Sequence, residues 1–218
     1  MSEPAPLVAA WTAAEPPLDA DLSRPHWRRG PEVALARQWS GEAAPAGLET
    51  TVRLLWTAAD LWVGFACRYV ELDIDEAPDA SVERAALWER DVCEIFVRSA
   101  AEPDAASYKE FEVAPTAQWC DLAIRRPRLD VDWHWQSGMR TAAAIDAARR
   151  RFTAVMQIPF AALGGPPTAG DRWRANLFRV GRIDGRRHYL AWAPTGTPAP
   201  DFHVPDRFVP LRFAAPGV

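Results

Sequence analysis

Apolar and polar residues alternate with a period of two along much of the chain, which predicts β-strands. The run TVRLLWT places Val52, Leu54 and Trp56 on one face. The run LWVGFACRY continues the same alternation from Leu61 to Tyr69, and the intervening TAAD fits a short hairpin turn. These two runs therefore predict an antiparallel hairpin with one apolar face.

Further strands follow at fairly regular spacing. Twenty prolines and twelve glycines punctuate the chain. The dipeptide Asp184–Gly185 between two runs is a strong hairpin signal. Only PFAALGG and SVERAALWER suggest a short helical turn, and MSEPAPLVAAW is typical of an extended lead-in. The further predicted strands are Asp91–Arg98, Ser107–Ala114, Gln118–Arg125, Arg140–Ile145, Arg151–Ile158, Trp173–Ile183, Arg187–Ala193 and Phe208–Phe213.

This arrangement of many short strands predicts an all-β fold. Short strands with turn signals between them are typical of an antiparallel β-sandwich of the jelly-roll kind. One or two short helical turns complete the prediction. Because the sequence contains neither an internal repeat nor a linker, we expect a single domain over residues 1–218.

The strand DVCEIFVR carries a charged residue at its centre. Cys93, Ile95 and Val97 share one face and are expected in the core. Glu94 points the other way, together with Phe96. Because burial of an unpaired carboxylate costs several kcal/mol, roughly, Glu94 must either have a partner or line a cleft.

The strand YKEFEVAP repeats this pattern. Phe111 and Val113 are expected to point inward, while Tyr108, Glu110 and Glu112 share the opposite face. One sheet is therefore predicted to have a second face that carries both carboxylates and aromatic rings. This composition is typical of a polar binding cleft.

Composition and charge narrow the classes of partner. A hydrophobic fraction of 49% is sufficient for a sizeable core, and the net charge of -4 gives no basic surface for nucleic acid or an anionic membrane. No apolar run is long enough to span a membrane, and the N-terminus lacks the features of a signal peptide. We therefore expect a cytoplasmic protein, or a secreted or periplasmic one if an export signal has been removed.

The cysteines favour the same compartment. Cys67, Cys93 and Cys120 lie in apolar strand patterns, their number is odd, and none forms a CxxC pair. We expect free buried thiols rather than a disulfide or a zinc site.

Five segments in order resemble carbohydrate-binding module family 9. They are LWERDVCEIFV, YKEFEVAP, WRANLFRV, HYLAWAPT and DFHVPDRFVPLRF, and the similarity runs from about Thr51 to Phe213. It is closest to the stand-alone bacterial family 9-like proteins. The resemblance implies a non-catalytic β-sandwich whose partner is a mono- or oligosaccharide, in the best-known members the reducing end of a glucan or related saccharide. It implies neither a nucleic acid nor a membrane partner and leaves a protein partner open.

The resemblance also implies a set of site residues. In the family, two aromatic side chains sandwich the terminal sugar, and polar groups hold its hydroxyls. Trp88 and Glu94 match the tryptophan and glutamate of the W-x-x-D-x-V/C-E segment, and Asn176 matches the family asparagine. Phe202 stands at the second aromatic position, where the family usually has tryptophan. Glu112 stands where the family has arginine, and we include it among the groups expected to contact sugar hydroxyls.

Each of these residues also has a structural interpretation. Trp88 could anchor its loop, and Phe202 could cap the core. Glu94 could form an ion pair with Arg98 or Arg179. The neighbouring segment DVDWHWQSG is expected to pack its alternate residues, Trp133 and Trp135, against the sandwich.

The segment VELDIDEAPDA is rich in carboxylates. Oxygen ligands of this kind suit calcium, and family 9 modules can carry structural calcium. Asp73 and Asp75 are therefore the candidate calcium ligands, with Glu71, Glu76 and Asp79 nearby. The spacing matches no EF-hand loop, so a solvated acidic turn is the alternative. No other cofactor is expected.

Three other functions remain open. A glycoside hydrolase could pair Glu94 with Glu110 or Glu112. The chain could also be an interaction domain whose sugar site has been repurposed. A haem-binding sandwich is the third possibility, and its candidate ligands are Met139, Met156, His134 and His203.

Overall fold

The computed structural model describes residues 4–75, 78–168 and 171–215. Within these ranges no helix is long and apolar enough to cross a membrane. The strands are β1 (Leu7–Trp11), β2 (Val33–Ala34), β3 (Arg37–Gln38), β4 (Thr50–Trp56), β5 (Asp60–Arg68), β6 (Val92–Arg98), β7 (Tyr108–Val113), β8 (Trp119–Arg126), β9 (Asp130–Asp132), β10 (Arg140–Asp146), β11 (Arg151–Pro159), β12 (Trp173–Ile183), β13 (Arg186–Ala191) and β14 (Val209–Phe213). The 3-10 helices are Pro25–Arg29, Leu87–Glu89, Phe160–Leu163 and Pro205–Arg207.

The strands form a β-sandwich, as predicted. Hydrogen bonds connect them in the order β10-β11-β5-β4-β1-β14-β12-β6-β7-β8-β9. In addition, β2 pairs with β4, β13 pairs with β12, and β3 pairs with β13. The part from β10 to β4 packs against the part from β14 to β9 across a shared apolar core. β1 links the two layers by pairing with both β4 and β14.

The sheet differs from the prediction in the short strands β2, β3 and β9, which were not predicted, and in the pairing of β1. Both pairings of β1 are parallel, so the sheet is mixed rather than wholly antiparallel. The N-terminal run, predicted only as an extended lead-in, supplies this strand. Its small residues Ala9 and Ala10 give little period-two contrast, and parallel pairing is set by distant strands that a local pattern does not reveal.

The predicted alternation of β6 and β7 is confirmed. Cys93, Ile95 and Val97 are fully buried in the inter-layer core with Phe111 and Val113. The opposite face packs a second apolar cluster, against which the loops of one end of the sandwich fold. This cluster is Leu87, Val92, Phe96, Tyr108, Ala114, Cys120, Leu122, Ile124, Phe178, Val180, Ala191, Phe202 and Phe208.

Turns and thiols also agree with the predictions. Asp184 and Gly185 both have positive φ, 51° and 69°, as a tight turn between β12 and β13 requires. Cys67, Cys93 and Cys120 are free and buried. The Sγ atoms of Cys67 and Cys93 approach to 3.6 Å across the core.

Candidate cleft on the second face of the sheet

A cleft of about 440 Å³ opens on the second face of β6, β7 and β8. Its floor comes from the strands, and its walls come from the 3-10 helix before β6, the β8–β9 region and the Pro-rich loop before β14. This volume lies within the usual range of small-molecule sites. The lining residues are Trp88, Glu94, Phe96, Glu110, Leu122, Ile124, Arg128, Val131, Trp133, Val180, Arg187, Tyr189, Pro200, Asp201, Phe202 and His203.

Two tryptophans form the lip of the cleft. Trp88 belongs to the 3-10 helix Leu87–Glu89, and Trp133 follows β9. Their ring centroids lie 5.9 Å apart with an interplanar angle of 48°. Trp133 is 51% exposed, so it offers a large apolar surface to solvent. The expectation that it packs on the sandwich is therefore wrong, because its only aromatic contact among the described residues is with Trp88.

Phe202 lines the cleft and also belongs to the apolar cluster. Its ring stacks on Phe178 at a centroid distance of 4.2 Å and meets the Tyr189 ring edge-on at 5.9 Å. One ring face is therefore covered by protein. The capping interpretation holds for Phe202, while its remaining surface borders the cleft.

An ion pair connects two walls of the cleft. The guanidinium of Arg128 lies 2.7 Å from a carboxylate oxygen of Asp201, which joins the β8–β9 turn to the Pro-rich loop. Arg128 has a φ of 63°, a conformation that non-glycine residues seldom adopt. The sequence singled out neither residue, because the contact joins segments 73 positions apart.

Three glutamates form the deepest polar part of the site. Glu94 in β6 is directly opposite Glu112 in β7, and Glu110 lies two residues away on the same face. All three are buried, with Glu112 fully inaccessible. One carboxylate oxygen of each lies within 4.8 Å of the other two. Glu94 and Glu110 line the cleft, and Glu112 lies beneath its floor.

Burial sets the electrostatics of these glutamates. It raises the pKa of Glu94 and Glu112 well above the usual range, and repulsion between the carboxylates adds to the effect. Burial also raises the pKa of Glu110, partly offset by His203. His203 Nδ1 lies 3.8 Å from Glu110 Oε2 and is the one basic nitrogen within ion-pair distance of this cluster among the described residues.

The alternative ion pairs of Glu94 do not form. Arg98 donates to the carbonyl of Ala105 at the edge of the sheet. Arg179 projects into the opposite face, where it donates to Thr50 Oγ1 and to the carbonyls of Leu48 and Arg68. The interpretation of Glu94 as half of a structural ion pair is therefore wrong.

Asn176 lies away from the cleft in a structural position. Its Nδ2 donates to the carbonyl of Ala193, and its Oδ1 accepts from the backbone N–H groups of Leu177 and Ala193. The side chain is fully buried. These bonds fix the chain after β13, which leads into the Pro-rich loop that forms one wall of the cleft.

The candidate calcium ligands lie among arginines. Asp73 Oδ1 is 2.8 Å from Arg90 Nη1, and Asp75 is 2.9 Å from Arg84 Nε and 3.2 Å from Arg90 Nε. The hydrogen bond from Arg84 lowers the pKa of Asp75. A calcium ion here would compete with guanidinium groups for the same oxygens. Glu76, in the same segment, lies outside the described residues.

The candidate haem ligands do not converge on one site. Met139 and Met156 are buried in the inter-layer core. His134 is exposed after β9, while His203 lies in the cleft with its Nδ1 2.6 Å from the Tyr108 hydroxyl. The two methionines therefore lie inside the core, and the two histidines lie at separate positions outside it.

Comparison with a family sequence model covers the C-terminal third of the chain. The model of "Carbohydrate-binding family 9" matches residues 141–213. This range includes Asn176 and Phe202 but neither Trp88 nor Trp133. None of the curated proteins matches the sequence significantly.

Solved structures resemble the whole described fold. A candidate carbohydrate-binding protein from Bacteroides uniformis is similar over 97% of this chain and 100% of its own, with a TM-score of 0.75 and 18% identity. A family 9 carbohydrate-binding module from Caldicellulosiruptor kristjanssonii, solved with cellotriose, covers 96% of this chain and 93% of its own, with a TM-score of 0.69 and 11% identity. One from the same organism, solved with glucose, covers 97% and 98% with a TM-score of 0.68 and 13% identity. At these identities the likeness establishes a common fold.

Proposed function

Because the chain is a carbohydrate-binding family 9-like domain, we propose that it binds a glucose-based mono- or oligosaccharide in this cleft without catalysis. The observation that carries the proposal is the meeting of two kinds of surface in one cavity. The exposed ring of Trp133 and the half-buried ring of Trp88 stand at the lip, and carboxylates lie on the floor. The Caldicellulosiruptor kristjanssonii modules of the same fold, solved with cellotriose and glucose, support the ligand class.

The lip supplies stacking. The C–H face of a sugar ring is apolar, and its contact with an aromatic face removes water from both surfaces. Trp88 and Trp133 stand side by side at a tilt, so together they form an angled apolar wall rather than two parallel plates. Phe202 borders the sugar from the opposite loop with the part of its ring that Phe178 leaves free.

The floor and rim supply hydrogen bonds. Glu94 and Glu110 are positioned to form hydrogen bonds with neighbouring hydroxyls, which a carboxyl group can do in either protonation state. Arg187 and Arg128 at the rim are donors for ring and hydroxyl oxygens. Asn176 and Glu112 act from behind the cleft, Asn176 by fixing the backbone before the Pro-rich loop. Stacking plus a few such bonds gives dissociation constants in the micromolar to millimolar range, about -8 to -4 kcal/mol.

The placement of the glutamates favours binding over glycoside hydrolysis. Hydrolysis requires two carboxyl groups on opposite sides of the scissile bond, about 5 to 10 Å apart. Glu94, Glu110 and Glu112 lie side by side on adjacent strands of one wall, with oxygens within 4.8 Å. A sugar in the cleft would meet the two accessible carboxyls from the same side.

Calorimetric titration with glucose, cellobiose and cellotriose tests the proposal. We expect Trp88→Ala and Trp133→Ala to weaken binding about tenfold each, since loss of an aromatic contact costs about 1.5 kcal/mol. Trp192→Ala is the matched control, because Trp192 lines a separate hollow of about 760 Å³. Undiminished affinity in both cleft variants, or a loss confined to Trp192→Ala, would contradict the proposed site.

A further inference from the structure

Among the described residues, no arginine or lysine forms an ion pair with the three floor glutamates, and His203 beside Glu110 is the one basic side chain within ion-pair distance. Both carboxylate oxygens of Glu112 are buried without a hydrogen-bond partner, and so is one oxygen of Glu94 and one of Glu110. An unpaired buried carboxylate costs several kcal/mol, roughly, and a cluster of them costs more through mutual repulsion. Native proteins satisfy nearly all buried polar groups, so an unpartnered set on adjacent strands points to a missing ligand.

We propose that Glu94, Glu110 and Glu112 bind a divalent cation of the calcium type at the floor of the cleft. Two ligand atoms of one ion can be no farther apart than twice the ion–oxygen distance. This limit is about 4.6 to 5.2 Å for calcium and about 4.0 to 4.2 Å for magnesium. One oxygen of each glutamate lies within 4.8 Å of the other two, which is inside the upper end of the calcium limit, so small side-chain rotations suffice for all three to reach one calcium ion.

The chemistry of the ligands agrees with this ion. All three are carboxylates, which are the hard oxygen ligands that calcium prefers over the nitrogen and sulfur ligands of zinc or copper. The β6–β7 pairing holds Glu94 directly opposite Glu112, so the backbone fixes the separation of these two ligands. The two positive charges of the ion offset two of the three carboxylate charges. His203 lies beside one of the three ligands, Glu110.

The site is open on one side. Calcium takes six to eight oxygens, roughly, and three glutamates fill only part of this shell. Because Glu94 and Glu110 line the cleft, the remaining positions face it, where water or sugar hydroxyls complete the coordination.

Calcium titration of chelator-treated protein in the absence of sugar tests this site independently of sugar binding. We expect heat of binding, and a higher unfolding temperature with calcium than with chelator. Glu112→Gln, which keeps the side-chain shape, should weaken calcium binding by about 10- to 100-fold or more. Glu110→Gln is the second variant, and Asp75→Asn in the acidic loop is the control.

The unfolding temperature without calcium completes the test. Without calcium, Glu112→Gln should be at least as stable as the wild type, since it replaces a buried ionisable group with a neutral amide of the same shape. Absence of calcium binding to the wild type would overturn the proposal in favour of carboxyls that share protons. Calcium binding unchanged in both glutamine variants, or lost only in Asp75→Asn, would also overturn it.

Discussion

The two faces of β6 and β7 are equally buried and chemically opposite. On the inner face Ile95 and Phe111 are fully inaccessible and entirely apolar. On the cleft face, Glu94 and Glu112 occupy the intervening positions at 2% and 0% exposure. Burial alone therefore does not distinguish the faces. The difference is that the inner face packs against the other layer of the sandwich, whereas the cleft face is covered by loops that leave a cavity.

This difference separates stability from function within single strands. Apolar burial on the inner face stabilises the fold at about 25 cal/mol per Å². Carboxylate burial on the other face works against folding unless a ligand or proton compensates it. Functional sites are commonly arranged at such a cost in stability. Substitution of a buried apolar residue on the inner face should therefore lower stability. Substitution of a buried carboxylate on the cleft face should instead weaken ligand binding without loss of stability.

The largest effect is expected on the inner face. Phe111→Ala removes a fully buried ring between the layers and should lower the free energy of unfolding by about 3 to 5 kcal/mol. Urea denaturation followed by tryptophan fluorescence measures this loss. A decrease of under about 1 kcal/mol would mean that the inter-layer core is far less closely packed than described.

An intermediate effect is expected from pH at the edge of the inner face, near Arg179. Asp91, immediately before β6, is 1% exposed, and burial raises its pKa to about 6 despite a hydrogen bond from Asp73 N and the nearby Arg179 and Arg182. An unfolded aspartate titrates near pH 3.9, roughly. Between about pH 4 and pH 6 the unfolded state loses the proton first, so the stability that Asp91 contributes decreases as pH rises, by up to about 3 kcal/mol.

Asp91→Asn isolates this contribution. The quantity to compare is the free energy of unfolding of the wild type minus that of the variant. This difference should decrease from about pH 4 to about pH 6 and remain constant at higher pH. Denaturation curves at matched pH values give this difference, and titration of other carboxyls cancels in it. A difference that rises with pH would mean that the carboxylate, rather than the acid, is stabilised in the fold.

The smallest effect is expected at the rim. The side chain of Arg128 is 61% exposed, so Arg128→Ala should change the free energy of unfolding by under about 1 kcal/mol. Its loss should weaken sugar binding less than either tryptophan substitution, because the Pro-rich loop keeps its other contacts. Chemical denaturation and calorimetry measure both quantities. A larger loss of stability than in Phe111→Ala would reverse the proposed ranking of the two faces.

The sequence predicts the strands well because alternation is a local property. The face of Glu94, the core position of Ile95 and the turn at Asp184–Gly185 all follow from period and turn chemistry. The composition of the second face also predicts a cleft with carboxylates and aromatic rings. Parallel pairing of β1 lies beyond such patterns, since it depends on residues distant in sequence.

The site is less predictable because loops from three parts of the chain assemble it. Trp133 has the same sequence signature as a packed tryptophan, and only its place beyond β9 makes it part of the lip. The bond between Arg128 and Asp201 is likewise a product of tertiary structure. Asn176 matched a motif but bonds backbone groups, because its neighbour in space is Ala193. A motif match identifies a position in the sequence, but whether the side chain at that position reaches the cleft depends on the fold.

The indole N–H signals of the protein provide the most direct test of sugar binding in the cleft. In a ¹⁵N-labelled sample titrated with cellotriose, the Nε1–H resonances of Trp88 and Trp133, assigned by Trp→Phe variants, should shift together along one binding curve. The resonance of Trp192, in the separate hollow, should stay in place. Shifts at Trp192 without shifts at the two lip tryptophans, or no shift at any indole up to millimolar sugar, would contradict the account.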